Sequence, residues 1–257
     1  METVSKELIR KRFSKAAATY DQHAEAQRFI CEHLVELLTK NSDNRFKRVL
    51  EIGCGSGGFT RLLKQRCQIG EWILNDLCAS WEGSILPLFP YTSPEFLVGD
   101  AETLDFPGSF DLIASASALQ WMKNLPLFFK KIATHLSPNG YFIFNTFAPG
   151  NLSEIKEITG IGLKYPTEEE VTRWLSNHFH VIYAETNAIS LHFKHPIDVL
   201  KHLKYTGVTA TSSIGWTREK QQMFCQEYER RFQAKDGTYT LTYKPLYILA
   251  QKRGGTI

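Results

Sequence analysis

The stretch VLEIGCGSGGF, residues 49–59, decides how the rest of the chain is read. An apolar run reaches an acid, Glu51, and then glycines at alternate positions, Gly53, Gly55 and Gly57. This predicts a buried strand handing over to a helix through a tight turn. Glycine admits backbone angles that a Cβ forbids and lets the main chain approach a ligand, while the helix behind it presents free N–H groups. Such a turn also occurs without a ligand, so its neighbours have to decide between the two.

Outward from this stretch, apolar runs alternate with helical stripes, with no internal repeat. RVLEI, EWILND, EFLVGD, FDLIASAS and YFIFNTF predict five strands. GFTRLLKQRC and PLFFKKIATHL predict helices between them, the second with Pro126 at its start. This rhythm predicts a mostly parallel sheet covered by helices, with ligands at the carboxyl ends of the strands. Before it, Ile30, Leu34, Leu37 and Leu38 fall at helical spacing. After residue 150, Thr167 and Glu170 stand at capping-box spacing ahead of a helix. HVIYAETNAISLHF predicts one strand, PIDVLKHLKYT and TREKQQMFCQEYERRF two helices, and GTYTLTYKPLYILAQK one final strand. A single domain over 1–257 is expected: an N-terminal helical cap over 1–44, a ligand-binding core over 45–150, and a substrate-side half over 151–257 with a helical insertion at about 196–232.

The 257 residues suffice for one large α/β domain that needs no staples. Thirty basic residues against 27 acidic ones leave a formal charge of +3, which does not announce nucleic-acid binding. Cys31, Cys54, Cys67, Cys78 and Cys225 form no CxxC pair and are odd in number, so neither a disulfide framework nor a metal site is expected. Reduced thiols fit a cytoplasmic protein. No run of 18 apolar residues suggests a membrane span. The basic, Ala-rich N-terminus is like a transit peptide in composition, but Glu2, Glu7, Asp21 and Glu25 argue against one.

A dinucleotide fingerprint needs G-x-G-x-x-G; here the third glycine comes two places after the second, with Gly58 next. Glu51 also adds negative charge where a pyrophosphate would bring its own. An acid there suits a ligand with cationic groups, which favours S-adenosylmethionine, with its ammonium and sulfonium. Asp76 ends the second strand, where a carboxylate can accept both ribose hydroxyls, and Asp100 with Ala101 ends the third, where an adenine edge would lie. Any one of these acids alone is a common loop residue or helix cap. Three acids at three successive strand ends, in register with one glycine loop, point to a ligand.

VLEIGCGSGGF, LND, VGDAE and FDLIASASALQWM resemble the successive motifs of class I S-adenosylmethionine-dependent methyltransferases over about residues 45–148. RFSKAAATYDQHAEAQ, ALQWM, YPTEEEVTRWL, VLKHLKYTGV and GTYTLTYKPLYILAQK extend the resemblance over nearly the whole chain, to the malonyl-[acyl-carrier protein] O-methyltransferases of biotin synthesis. Two departures stand out: Ala116 where the family commonly has Asn, and NDLCAS in place of a D-x-S arrangement.

The resemblance implies a Rossmann-like α/β fold, with a mostly parallel seven-stranded sheet, an antiparallel last strand and a helical cap. It implies S-adenosylmethionine as cofactor, held by Glu51, Gly53, Gly55, Gly57, Asp76, Asp100, Ala101 and Ser117. The implied substrate is the free carboxylate of malonyl-acyl-carrier protein, or of malonyl-coenzyme A, bound by a monomer. A carboxylate with a reference pKa near ~4 is already ionised at neutral pH, so no general base is expected. Tyr20 is the candidate lid over the methyl group. Gln120 and Trp121 are candidate walls of the substrate pocket, and His202, Lys204 and Tyr243 candidate contacts to the malonyl unit. For each of these the plain alternative is core packing or a solvated helix face. In LHFKHPIDVLKHLKY six basic residues stand against one acid, Asp198, a surface to which an acidic carrier protein would be steered.

The rivals are a methyltransferase acting on a free small acid or another small molecule, a non-catalytic binding protein on the same scaffold, and an NAD-dependent oxidoreductase. SASALQW stands where DNA amine methyltransferases carry N/D-P-P-Y/F, which disfavours a nucleic-acid target.

Overall fold

The computed structural model describes residues 5–208 and 216–254. Helices α1 (Lys6–Ala16), α2 (Tyr20–His23) and α3 (Glu25–Asn41) lead into β1 (Arg45–Ile52). Then come α4 (Gly58–Arg66), β2 (Gln68–Asp76), a short α5 (Glu82–Ile85), β3 (Glu95–Val98), β4 (Phe110–Ser115), α6 (Leu125–His135) and β5 (Leu136–Phe147). The second half holds α7 (Ser153–Thr159), α8 (Glu168–Leu175), β6 (Phe179–Thr186), β7 (Ile189–Phe193), α9 (Pro196–Tyr205), α10 (Arg218–Phe232), β8 (Tyr239–Tyr243) and β9 (Pro245–Lys252). Part of the expected insertion, residues 209–215, lies outside the described residues.

Seven strands form the main sheet in the order β3-β2-β1-β4-β5-β9-β6. All pairs from β3 to β5 are parallel, and β9 runs antiparallel to both β5 and β6, so the last strand is antiparallel as expected. Strand pleating sends neighbours to opposite faces. Val49 and Leu112 pack into one core with Leu34 of α3 and Leu63 of α4, while Leu50 and Ile113 pack into a second with Phe129 of α6 and Leu175 of α8. Helices thus cover both faces, which explains why β1, β4 and β9 carry continuous buried, mostly apolar runs rather than alternating ones.

Two expected strands are each divided. HVIYAETNAISLHF breaks at residues 187–188 into β6 and β7, and GTYTLTYKPLYILAQK breaks at Lys244 into β8 and β9. Lys244 leaves the ladder because its N–H donates to Asn151 Oδ1 (2.9 Å) and its carbonyl accepts from Ala148 N–H (2.9 Å). Pro245 follows. The freed halves, β7 and β8, pair antiparallel as a separate ribbon. Its Leu191 and Leu241 pack in one cluster with Val199 of α9 and Tyr228 of α10. Strand order reverses between β1, whose other neighbour is β2, and β4. That is the switch point where open sheets of this kind leave a crevice at their carboxyl ends.

Candidate functional site

The glycine loop fills the switch point. Gly53 has φ +69°, and a Cβ built there would overlap the Cβ of Ala118 after β4, so only glycine lets the two strand ends close on each other. Gly55, at φ +52°, has nothing within 4 Å of where its Cβ would stand. Its bare backbone faces a cavity at the strand ends that Asn75, Asp76, Gly99 and Ala116 also line.

Asp76 borders this outer cavity and holds its shape. It accepts Gly55 N–H on Oδ2 (3.0 Å) and Cys78 N–H on Oδ1 (2.8 Å), leaving lone pairs on both oxygens. Burial pushes its carboxyl up to about 6, against the pull of those N–H groups. At the end of β3, Asp100 and the buried Ala101 form the next wall. There Lys6 of α1 reaches in, its ammonium 2.9 Å from Asp100 Oδ1 and 2.8 Å from Glu102 Oε2. Glu51 and Gly57 stand apart from the other predicted residues, since neither borders the cavity: Gly57 packs toward Ile85 and Leu88, and Glu51, 1 % exposed, lies behind the loop. Glu51 accepts the Thr60 hydroxyl of α4 at 2.7 Å, and burial pushes it up to about 8.

A second, inner compartment adjoins the first, and Phe13, Tyr20, Ser117 and Trp121 line both. Tyr20 is fixed from two sides. Asp21 accepts the Ser56 hydroxyl of the glycine loop, and Thr19 donates to the Tyr205 carbonyl of α9 (3.4 Å). Its ring stands edge-on to Trp81 at 5.6 Å, while Phe13 stands edge-on to Trp121 at 5.8 Å. Ser117 holds a left-handed φ of +54° while its N–H donates to Asn145 Oδ1 (2.8 Å), a strain of the kind that persists where surroundings over-determine a functional turn.

The inner compartment brings together chain segments far apart in sequence: Gln27, Gln120, Asn151, Tyr165, Thr206 and Tyr243. Four buried polar atoms of the residues that line it have no hydrogen-bond partner among the described residues: Gln27 Oε1, Ser117 Oγ, Gln120 Oε1 and Trp121 Nε1. Leaving such groups unpaired costs ~1–3 kcal/mol each, so a wall carrying four of them is built for a polar occupant.

Of the residues expected at the acceptor end, Gln120, Trp121 and Tyr243 line this compartment. His202 sits behind its wall, 5 % exposed, with Nε2 2.8 Å from Tyr243 Oη; burial lowers its pKa to about 4. Lys204 is exposed and borders neither compartment. Sequence reasoning did not single out Lys6, Phe13, Gln27, Asn151, Tyr165 or Thr206. Only Gln27 carried a signal, as a polar residue on the apolar stripe of α3. The five cysteines are free, and no group of three or more potential metal ligands occurs among the described residues. No helix among them is long and apolar enough to cross a membrane.

A family model described as a methyltransferase domain matches residues 21–189. The chain is 45 % identical over 254 residues to a malonyl-[acyl-carrier protein] O-methyltransferase of Porphyromonas gingivalis, covering 98 % of each chain. It is 41 % identical to one of Haemophilus ducreyi, covering 99 % of this chain and 100 % of that one. Among solved structures, a putative methyltransferase from Bacillus halodurans matches 87 % of this chain and 98 % of its own at TM-score 0.64 and 15 % identity. An N-methyltransferase from Bradyrhizobium japonicum in complex with S-adenosyl-L-homocysteine matches 91 % and 98 % at TM-score 0.54 and 13 % identity. The last two likenesses establish the fold.

Proposed function

We propose that this chain, which belongs to the malonyl-[acyl-carrier protein] O-methyltransferase family, methylates the free carboxylate of a malonyl thioester carried by acyl-carrier protein. The observation that carries the reading is full-length identity of 45 % to a relative of that name, covering both compartments and the helices over them. The same reading gives it a place in biotin precursor synthesis, and a cytoplasmic monomer is proposed with it.

The outer compartment suits S-adenosylmethionine. Gly55 offers bare backbone, Asp76 offers free lone pairs for ribose hydroxyls, and Asp100 and Ala101 offer an acid and a small apolar wall for an adenine edge. When bound, this cofactor supplies an electrophilic methyl group on a positively charged sulfur. Gly53 and Gly57 shape the loop, and Glu51 acts from behind it by holding α4; its carboxyl, pushed up to about 8 by burial, gains negative charge when a cationic ligand favours the ionised form.

Tyr20, Ser117 and Trp121, at the junction of the compartments, align the acceptor oxygen with that methyl and keep water out, and Gln120 walls the acceptor side. No proton has to move, because the acceptor carboxylate is already ionised at neutral pH. Tyr243, steadied by neutral His202, closes the inner end. Outside, His192, Lys194, His195, Lys201 and Lys204 are exposed and give an acidic carrier protein a basic approach.

The test is methyl transfer from labelled S-adenosylmethionine to malonyl-acyl-carrier protein, run beside succinyl-carrier protein, malonyl-coenzyme A and free malonate. The expected result is a malonyl-dependent methyl ester that Asp76→Ala abolishes. Cofactor binding without methylation of any malonyl acceptor would leave the fold and overturn the substrate.

A further inference from the structure

We infer that the inner compartment recognises the acceptor carboxylate without a cation, using neutral donors at the junction, Trp121 Nε1–H and Ser117 Oγ–H, and that it therefore holds the methyl ester about as well as the acid. The inference rests on the malonyl reading above. Among the described residues no Lys, Arg or His lines this compartment, although its natural occupant carries a negative charge. The imidazole bonded to its wall, His202, is buried and neutral at physiological pH. Lys6, the cation of the outer compartment, is already shared by Asp100 and Glu102.

What the wall offers instead is a sorted set of unpaired atoms. Trp121 Nε1 and Ser117 Oγ are donors, and both residues border the two compartments, where the reacting oxygen has to lie. Gln27 Oε1 and Gln120 Oε1 are acceptors on the inner wall, and a carboxylate gives an acceptor nothing. They suit N–H groups, such as the amides of a thioester's pantetheine arm. Gln120 is held in this sense because its Nε2 is spent on the Ser117 carbonyl (2.6 Å), which forces Oε1 to face the other way.

The charge logic of the reaction favours this arrangement. The acceptor's negative charge disappears as its oxygen gains the methyl, so a cation beside it would bind the ground state more tightly than the transition state and raise the barrier. Neutral donors orient the oxygen with little of that penalty. The consequence is weak discrimination between acid and ester, so that product release depends on the carrier's outer contacts.

The test uses the full chain loaded with S-adenosylhomocysteine, which cannot turn over, titrated calorimetrically with malonyl-pantetheine and separately with its methyl ester. The expected dissociation constants lie within about 30-fold of each other, since each donor's bond to the ionised carboxylate exceeds its bond to the ester carbonyl by only ~1 kcal/mol. Gln120→Lys should tighten the acid relative to the ester by about tenfold or more and lower kcat while lowering KM. Trp121→Phe, which keeps the ring, should lower kcat about 10- to 100-fold, with cofactor affinity unchanged. Acid binding more than about 100-fold tighter than ester to the unaltered chain would mean that a cation reads the charge, and would overturn the inference. Full activity in Trp121→Phe would remove its donor. Binding of neither thioester would overturn the malonyl reading itself, an outcome distinct from unequal binding.

Discussion

The two compartments share four residues yet are made in opposite ways. The outer one is centred on a backbone object, a loop of consecutive residues whose glycines are dictated by steric closure against Ala118 and by an open face at Gly55, with α1 and the ends of β2, β3 and β4 adding its other walls. The inner one is a side-chain object, assembled from α3, the turn after β4, the segment after β5, and β8. A backbone object tolerates no change and is written in a short motif. A side-chain object can change its occupant residue by residue without losing the fold, which is why methyltransferases with one cofactor serve many acceptors. The contrast predicts that outer lesions abolish everything downstream, whereas inner lesions separate acceptor handling from cofactor binding.

The harshest test of the contrast is Gly53→Ala. A Cβ at φ +69° that collides with Ala118 has to push β1 and β4 apart at the switch point. A loss of about 2–4 kcal/mol in unfolding free energy is expected, together with loss of detectable cofactor binding. Denaturant titration and calorimetry read the two effects. A stable variant that still binds would show that the loop is not backbone-limited.

Next in size is Asp76→Ala. It removes the acceptor of both Gly55 N–H and Cys78 N–H and the lone pairs offered to a ribose, so cofactor affinity should fall by about 100-fold or more. Inner-compartment variants such as Gln27→Ala should leave that affinity within about twofold and act on KM for the acceptor instead. If both variants weaken cofactor and acceptor alike, the two compartments are one site.

The same contrast explains what could be read from the sequence. The sheet, its helices and the outer wall were legible because their signals are local: apolar runs, glycines at alternate places, acids at strand ends, and the Thr167–Glu170 capping box. Glu51 was expected to help hold the cofactor, and spacing gives no hint that Thr60 on α4 would turn its carboxylate inward. The split at Lys244 was missed although Pro245 marks it, because alternating apolarity runs straight through while the break is made by Asn151, 93 residues away. Phe13, Gln27, Asn151 and Thr206 meet only in three dimensions. No window of sequence holds their relation.

Proton linkage gives a milder test. Burial raises Asp76 to about 6 and Glu51 to about 8 in the folded chain, both above their ordinary values. Ionising them costs folded-state stability: their favourable contribution is full below the ordinary carboxylate range and is lost as pH rises through about 6 and about 8. A cationic ligand reverses that cost by favouring the ionised forms. Binding of S-adenosylmethionine should therefore release protons near neutral pH, and its affinity should climb by up to about tenfold per pH unit below Asp76's pKa. Calorimetry in two buffers of different ionisation enthalpy measures the release. No release would place both carboxylates outside the ligand's field.

The smallest expected effect probes how far the inner compartment depends on distant anchoring. Tyr165 and Leu163 reach its wall from the segment just before α8, whose start is fixed by the Thr167 capping box: the Thr167 hydroxyl accepts Glu170 N–H (3.2 Å), and Glu170 Oε2 accepts Thr167 N–H (2.9 Å). Thr167→Ala breaks half of this box and should cost about 1 kcal/mol of stability. Its Tyr165 ring lies against Phe147 at 6.1 Å, and its hydroxyl accepts from Asn151 Nδ2 (2.9 Å), so the segment loosens rather than detaches. A rise of a few-fold in acceptor KM, with cofactor affinity unchanged, is the expected signature. A change in cofactor affinity instead would mean that the α8 segment braces the glycine loop through the shared wall, and the division between a backbone-made and a side-chain-made compartment would have to be redrawn around Phe13, Tyr20, Ser117 and Trp121, the residues the two hold in common.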